Sequence, residues 1–321
     1  MVDHAGADQD GTDQDRRDQD GRDQDGGAGP SPSQLRALFG EGLHRLPGKV
    51  HTLLPPEQRA DLRHWLGRYH QRELGHPLVP LPLGAAEAAG APDFVGIGTR
   101  YSGAAWWYRL VTAHPGVYAR PDIAMGRDYL SHFATTAFGD AEVSRYHDWF
   151  PRRSGTITGE WSPGYMASPW VPALLAMAAP EARLLVVVRD PIERLRIDLE
   201  QRTEGQVSHI GSHIGGAVER GYYAAQLRRV LEHFPIEQVL VLQTERCLAD
   251  PAGSLATTYR FLGLDDTFVP PATRVPRLTP APSTGVDAET VGRLAELYAT
   301  DVADLESLVP GFDRSRWPEF A

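Results

Sequence analysis

Cysteine, lysine and long apolar runs are nearly absent from this sequence of 321 residues. The single cysteine, Cys247, excludes a disulfide framework and favours a reducing compartment. No apolar run is long enough to span a bilayer or to form the core of a signal peptide. Of the 32 basic residues only Lys49 is a lysine. These absences predict a soluble, cytoplasmic protein without a membrane partner.

Basic stripes with interleaved aromatic residues are also missing, which argues against a nucleic-acid partner. Much of the net charge of −10 lies in the N-terminal tail, where Asp-Gln-Asp-x-x repeats four times from Asp8. The repeat contains no aliphatic residue and cannot bury a core. A calcium role is the alternative, but the repeat lacks the distal glutamate of a calcium loop. We therefore predict a disordered acidic tail over residues 1–30.

The remaining chain divides into an extension and a larger domain. Helical periodicity predicts helices over Ser33–Leu46 and Pro56–Leu74, followed by a proline-rich connector. Residues 31–90 are therefore a predicted helical extension. The continuous apolar run Ala182–Val188 is typical of a parallel strand that is covered on both faces. Residues 91–321 are predicted to form an α/β domain.

The stretch Phe94–Val111 predicts a buried strand, a glycine-rich turn and the start of a helix. Glycines at positions 96, 98 and 103 allow tight backbone geometry. Backbone N–H groups of such a turn converge at a helix N-terminus, which is a binding place for phosphate or sulfate groups. An ordinary strand-to-helix turn is the alternative interpretation.

This stretch resembles the 5'-phosphosulfate loop of the PAPS-dependent sulfotransferases. Its sequence is most similar to that of a bacterial, heparan-sulfate-sulfotransferase-like branch. Downstream, His114-Pro115, the Glu160–Tyr165 segment and Arg189-Asp190-Pro191 follow the family pattern in the same order. The resemblance implies a P-loop-like fold, with a central parallel sheet flanked by helices. It also implies PAPS as cofactor, bound through Arg100, Ser102, Gly103 and Arg189.

Five departures from the pattern fall on the residues that the family uses for chemistry. Tyr101 stands at the position of the cation that assists sulfate departure, and Ala104-Ala105 replace a hydroxyl pair. Met125-Gly126 replace the Lys-Glu pair that supplies the base, although a shifted alignment would put Arg127-Asp128 there. Ile197 replaces a phosphate-binding serine, and Ala281 replaces a closing lysine. Together the departures predict that no cofactor is bound, with PAPS as the alternative.

The acceptor side of the predicted cleft keeps candidates for other chemistry. A buried carboxylate among aromatic side chains acquires a raised pKa, and a phenol or imidazole can donate to an oxyanion. The predicted catalytic residues are therefore Glu160, Tyr101, Asp128 and His132, although Glu160 equally suits a structural cap. The aromatic residues predicted to contact substrate are Trp106, Trp107, Trp161 and Tyr165, with ordinary core positions as the alternative.

His209 and His213 have the i, i+4 spacing of metal ligands, but the glycines around them favour a loop and no third ligand is evident. No metal site is predicted.

Three functions remain open for the protein, with a small molecule as its expected partner. The first is an enzyme of specialised metabolism that no longer sulfates and catalyses a cyclisation, elimination or isomerisation. The others are a PAPS sulfotransferase with a rebuilt site and a non-catalytic scaffold; the sequence does not indicate the oligomeric state.

Overall fold

The computed structural model describes residues 88–119, 132–134, 140–203, 210–270 and 286–321. The predicted acidic tail and the two predicted helices of the extension lie outside this part of the chain, so they stay predictions. Within the described ranges, none of the helices combines the length and the hydropathy that crossing a bilayer requires.

A four-stranded parallel sheet forms the centre of the fold, with strand order β4-β2-β5-β6. Two further short strands pair antiparallel as a separate ribbon. The strands are β1 (Ala88–Ala89), β2 (Phe94–Gly98), β3 (Pro151–Arg152), β4 (Gly159–Trp161), β5 (Arg183–Val188) and β6 (Val239–Gln243). The predicted α/β class with a central parallel sheet is confirmed.

Helices cover the sheet and follow its strands along the chain. They are α1 (Ala104–Thr112), α2 (Asp140–His147), α3 (Val171–Ala178), α4 (Pro191–Thr203), α5 (Ile210–Glu219), α6 (Tyr223–Leu231), α7 (Thr244–Ala249), α8 (Pro251–Leu262) and α9 (Ala288–Leu308). Single 3-10 turns lie at His132–Ala134, Ile236–Gln238, Arg314–Arg316 and Pro318–Phe320.

The two middle strands are buried along almost their whole length, as their apolar sequences predict. Every residue of β2 is buried, and β5 is buried from Leu184 to Val188. Gly96 of β2 lies directly beneath the Trp161 ring, where a Cβ atom would approach the ring to 2.0 Å. Only glycine fits at this point, because the indole occupies the space that any side chain would need.

One prediction about secondary structure is wrong. The glycine-rich segment Ser208–Gly216 was predicted as a loop, but helix α5 runs from Ile210 through its glycines to Glu219. Glycine lowers helix propensity by only about 1 kcal/mol per residue, and tertiary contacts outweigh that cost. Buried Ala217 packs in the core and accepts a hydrogen bond from Arg194 of α4 through its carbonyl oxygen.

Helix α9 has a second structural role, because Asp301 in its middle caps another helix. The Asp301 carboxylate accepts the N–H groups of Ala224 and Ala225 at 2.9 Å each, at the start of α6. Tyr222 precedes α6 and makes no capping bond with its own side chain. The cap therefore comes from 77 residues along the chain and ties α9 to α6.

Candidate active site

The turn from β2 into α1 lies at the carboxyl edge of the sheet, where open α/β sheets bind ligands. Gly103 precedes α1 in the left-handed conformation (φ 83°), and no side chain caps the first turn of that helix. The first N–H groups of a helix have no partner within the helix, so they are available to an anion. This is the position that the sequence predicted for phosphate or sulfate.

The hydroxyl groups of the turn point into the protein. Thr99 Oγ1 donates to the Val187 carbonyl at 2.9 Å and also contacts the Ser102 hydroxyl. Thr244 Oγ1 lies 2.7 Å from the Ser102 carbonyl oxygen and 2.8 Å from that of Val188. Ser102 itself has no exposed surface. These contacts fasten the turn to β5 and to the start of α7, and the Ser102 hydroxyl serves the fold rather than facing a ligand.

Tyr101 and Arg100 form the outer side of the turn. Tyr101 adopts φ 65°, a left-handed conformation that costs a non-glycine residue energy, and it is partly exposed. Arg100 is exposed, and its guanidinium lies against Gly164 in the loop that follows β4. The phenol and the guanidinium therefore border the space in front of the turn.

Arg189 directly follows β5 and is 7% exposed. Its guanidinium lies 4.0 Å from the Glu193 carboxylate. The neighbouring Asp190 caps α4 by accepting the N–H groups of Ile192 and Glu193 at 2.8 and 3.2 Å. Burial raises the pKa of Asp190 to about 6, and the capping bonds limit the rise. The β5–α4 turn thus carries Arg189 on a backbone that side-chain hydrogen bonds hold in place.

Glu160 lies in β4 with no exposed surface, and hydroxyl groups occupy both of its carboxylate oxygens. Tyr146 donates to Oε1 at 2.8 Å and Ser162 donates to Oε2 at 2.6 Å. Burial raises the pKa of Glu160 to about 7, while hydrogen bonds from Ser162, Tyr146 and Tyr165 limit the rise. The carboxyl group can therefore exchange a proton near neutral pH, but only through these hydroxyls or after the surrounding loop moves.

His132 lies next to this cluster. Its ring packs 5.1 Å from the Tyr146 ring, and its backbone N–H donates to the Tyr165 hydroxyl at 2.9 Å. The ring Nε2 contacts the Glu142 carbonyl at 3.0 Å. Burial, and then the charge of Arg145, lowers the pKa of His132 to about 4. The imidazole is neutral at physiological pH, so it is not a cation for a phosphate.

The four aromatic residues predicted to contact substrate are all at least 93% buried. Trp107 donates its N–H to Thr258 at 3.2 Å, and Trp161 donates to the Gly98 carbonyl at 3.2 Å. Trp106 packs edge-on against Trp107. In this structure these rings belong to the core, and substrate contact by them stays a prediction.

The structure brings Glu160, His132 and Tyr165 together and places Arg100 and Tyr101 at the adjacent turn. Asp128 lies outside the described residues, as do the departures predicted at Gly126 and Ala281. His209 also lies outside, and among the described residues no group of three acidic, histidine or cysteine side chains is arranged to hold a metal.

Several functional contacts were missed by the sequence analysis. Tyr146 was not among the predicted site residues, yet its hydroxyl donates to the Glu160 carboxylate. Glu245 and Trp317 meet behind the β5–α4 turn, with Trp317 Nε1 donating to the Glu245 carboxylate at 3.0 Å. No sequence motif indicates these two pairs, because Tyr146 and Glu160 are 14 residues apart and Glu245 and Trp317 are 72 residues apart.

These residues fit PAPS only in part. The uncapped start of α1, Arg100 and Arg189 suit phosphate groups. The phenol of Tyr101 does not suit the position of a leaving-group cation, and the inward Ser102 hydroxyl is already used by Thr99. The site therefore suits binding of an anionic group better than transfer of a sulfuryl group.

A strand, a turn and a helix lie at the carboxyl edge of the parallel sheet, and an arginine follows the third strand of that sheet along the chain. This arrangement is that of the sulfotransferase fold. The solved sulfotransferase from Alicyclobacillus acidocaldarius has the same fold, with a TM-score of 0.56 and 23% identity over 70% of this chain and 98% of that one. Two human relatives are similar in sequence. Heparan sulfate glucosamine 3-O-sulfotransferase 3B1 is 32% identical over 54% of this chain and 46% of the relative, and 3-O-sulfotransferase 6 is 29% identical over 68% and 65%.

The resemblance to sulfotransferases that the sequence motifs predicted is thus confirmed by the similarity in sequence to heparan sulfate 3-O-sulfotransferases and by the shared fold. No family model matches the chain. It spans about half the length of the curated relatives it matches, with 44–46% coverage for the isoforms 3A1 and 3B1.

Proposed function

We propose that this protein is an enzyme of small-molecule metabolism that uses the sulfotransferase fold without transferring a sulfuryl group. The observation that carries the proposal is Tyr101. A sulfuryl transfer needs a cation where negative charge develops on the leaving oxygen, and this position holds a phenol. Ala104 and Ala105 likewise offer no hydroxyl to a phosphate at the start of α1.

The proposed chemistry is a proton-transfer reaction such as a cyclisation, elimination or isomerisation of a specialised metabolite. Glu160, with a pKa of about 7, supplies and takes up the proton, and Ser162 relays it because Glu160 has no exposed atom. Tyr101 donates a hydrogen bond to a developing oxyanion, and Arg100 holds an anionic group of the substrate. This chemistry needs no cofactor.

Titration calorimetry with PAPS and with adenosine-3',5'-bisphosphate tests the loss of sulfation. We expect no binding to the purified protein at low micromolar concentrations. The triple variant Tyr101→Lys, Ala104→Thr, Ala105→Thr should gain measurable binding, whereas Arg109→Lys on the exposed side of α1 should not. A low micromolar Kd for the unmodified protein would show that the proposal is wrong.

A role for Glu160 in catalysis is tested once a substrate is known. Glu160→Gln should then lower kcat at least tenfold while leaving the fold intact, because the amide cannot exchange a proton. Tyr101→Phe should have a smaller effect, since it removes one hydrogen bond to the oxyanion. Unchanged turnover in Glu160→Gln would assign Glu160 a purely structural role.

The second candidate is a PAPS-dependent sulfotransferase with a rebuilt site. The similarity to human 3-O-sulfotransferases favours it, as does the retention of Arg189 beside Arg100. In that case Arg189→Ala should abolish the nucleotide binding seen by calorimetry, and a small-molecule hydroxyl or amine is the acceptor. Binding of the nucleotide followed by loss in this variant would replace the first candidate with the second.

A further inference from the structure

One peptide group in the candidate site has both of its polar atoms bound by side chains. The Arg189 carbonyl accepts from the Tyr223 hydroxyl at 2.9 Å. The N–H of Asp190, which belongs to the same peptide plane, donates to Glu245 Oε1 at 3.0 Å. Because a peptide group is planar, the two bonds together fix its orientation. That orientation sets the direction in which the Arg189 side chain leaves β5.

Both of these partners rest on a single residue of the C-terminal segment, Trp317. Its Nε1–H donates to the second oxygen of Glu245, Oε2, at 3.0 Å. Its ring packs 6.1 Å from the Tyr223 ring. Trp317 has no exposed surface, so these contacts are shielded from water. The indole therefore holds the rotamer of Glu245 and the position of Tyr223 at the same time.

The C-terminal segment is itself anchored around Trp317. The Phe312 ring lies 4.8 Å from the indole and the Phe320 ring lies 6.2 Å from it. Gln243, at the end of β6, donates its side-chain amide to the Asp313 carbonyl at 2.9 Å. The indole is thus held from the side opposite the turn.

Charge links this arrangement to the ligand side of the turn. Burial raises the pKa of Glu245, and the positive charge of Arg189 is among the influences that lower it. The Arg189 guanidinium is therefore within electrostatic reach of the carboxylate that Trp317 orients. The other acidic groups here are Asp190 and Glu193, of which Asp190 points back to cap α4.

We infer that Trp317 is a positioning residue for Arg189: through Glu245 and Tyr223 it fixes the peptide group that aims the arginine at an anionic ligand. The inference rests on Arg189 as an anion-binding residue, which is the role that the second candidate function gives it. Trp317 does not touch the ligand and acts from behind the sheet edge.

Two conservative variants of the full chain test this role. Trp317→Phe keeps an aromatic ring but removes the N–H bond to Glu245, and Tyr223→Phe removes the hydroxyl bond to the Arg189 carbonyl. Tyr259→Phe is the matched control. Tyr259 also has no exposed surface and donates its hydroxyl to a backbone carbonyl, that of Leu110 at 2.8 Å, away from the β5–α4 turn.

Amide hydrogen exchange is the first measurement. In Trp317→Phe the Asp190 amide should exchange at least tenfold faster than in the unmodified protein, because its acceptor is no longer held. In Tyr259→Phe it should exchange at the unmodified rate. An unchanged Asp190 rate in Trp317→Phe would overturn the inference. An equal acceleration in the Tyr259→Phe control would also overturn it, because the effect would then be global.

Inorganic phosphate is the probe for the second measurement, read as the phosphate-dependent rise in Tm. Trp317→Phe and Tyr223→Phe should each raise the apparent Kd for phosphate at least fivefold, and Tyr259→Phe should not. An unchanged Kd in both variants would overturn the inference. If phosphate does not raise the Tm of the unmodified protein, anion binding at Arg189 is contradicted. The exchange rate of the Asp190 amide then tests the positioning of the peptide group independently.

Discussion

Replacing Glu160 by glutamine should change how the stability of the protein depends on pH. The pKa of this carboxyl group is about 7 in the folded protein, against an ordinary value of 4.5. The folded state therefore holds a proton between these values that the unfolded state has lost. Since the folded state binds more protons there, the free energy of unfolding falls as the pH rises from 4.5 to 7.

The size of the effect follows from the two pKa values. Between pH 5 and pH 8 the Glu160 carboxyl group should contribute a loss of roughly 2–3 kcal/mol in the free energy of unfolding. Glutamine cannot titrate; one of the hydroxyls of Tyr146 and Ser162 can rotate to accept from its NH2 group while the other still donates to its carbonyl oxygen. The difference in unfolding free energy, unmodified protein minus Glu160→Gln, should therefore fall by that amount across the interval.

In the unmodified protein the titration of His132 opposes the effect of Glu160 on the free energy of unfolding. Burial lowers the pKa of His132 from 6.5 to about 4, so the unfolded state binds the extra proton in that interval. Its contribution to stability is present above pH 6.5 and is lost as the pH falls towards 4. The two groups have opposite signs in overlapping intervals. The unmodified protein should consequently show a flatter profile than Glu160→Gln, which retains only the histidine term.

Urea unfolding followed by tryptophan fluorescence at pH 5, 6, 7 and 8 measures these free energies. Glu237→Gln is a suitable control, because Glu237 is exposed in a 3-10 turn and its replacement leaves no buried charge unpaired. That control should differ from the unmodified protein by a constant amount. A constant difference for Glu160→Gln as well would refute the reasoning, since it would mean that Glu160 titrates alike in the folded and unfolded states.

Three further outcomes are expected. Gly96→Ala should lower the free energy of unfolding by about 3 kcal/mol, because the new Cβ would meet the Trp161 ring at 2.0 Å; an unfolding midpoint in urea like that of the unmodified protein would contradict this packing. In the same assay Asp301→Ala should lower the free energy of unfolding by about 2 kcal/mol through the loss of two capping bonds, and an equal loss in Asp304→Ala, which removes only a half-exposed ion-pair partner, would contradict this. Cys247 should react with a thiol reagent only after unfolding, since burial raises its pKa to about 12, and rapid labelling of the native protein would contradict that burial.

The sequence predicts the strands of this fold well because their apolar runs leave few alternatives. The run Ala182–Val188 matches β5 within one residue, and the buried strand predicted at the start of Phe94–Val111 is β2. Helix α5 was missed because a local rule about glycine was applied where packing decides. Its contact with α4, between the Arg194 side chain and the Ala217 carbonyl, forms only when the two helices pack together.

The candidate site is less predictable, because its side chains depend on directions that only the packed sheet determines. Glu160 was identified as a carboxylate that survives in the cleft, but its enclosure by Tyr146 and Ser162 follows from where α2 packs. Trp107 and Trp161 are aromatic residues of the kind that line ligand clefts, but they are as buried as core residues. Aromatic rings serve both places, so residue type alone cannot separate them.

The contacts that hold the β2–α1 turn explain how the fold persists while the site changes. The turn is fastened by Thr99 to the Val187 carbonyl and by Thr244 to the Ser102 carbonyl, and the backbone N–H of Thr99 also donates to Val187 at 2.9 Å. None of these bonds uses the side chain of Tyr101, Ala104 or Ala105. Residues that contact a ligand and residues that hold the turn are thus different sets on the same segment. Changes in the first set therefore need not loosen the second, which lets one fold carry different sites.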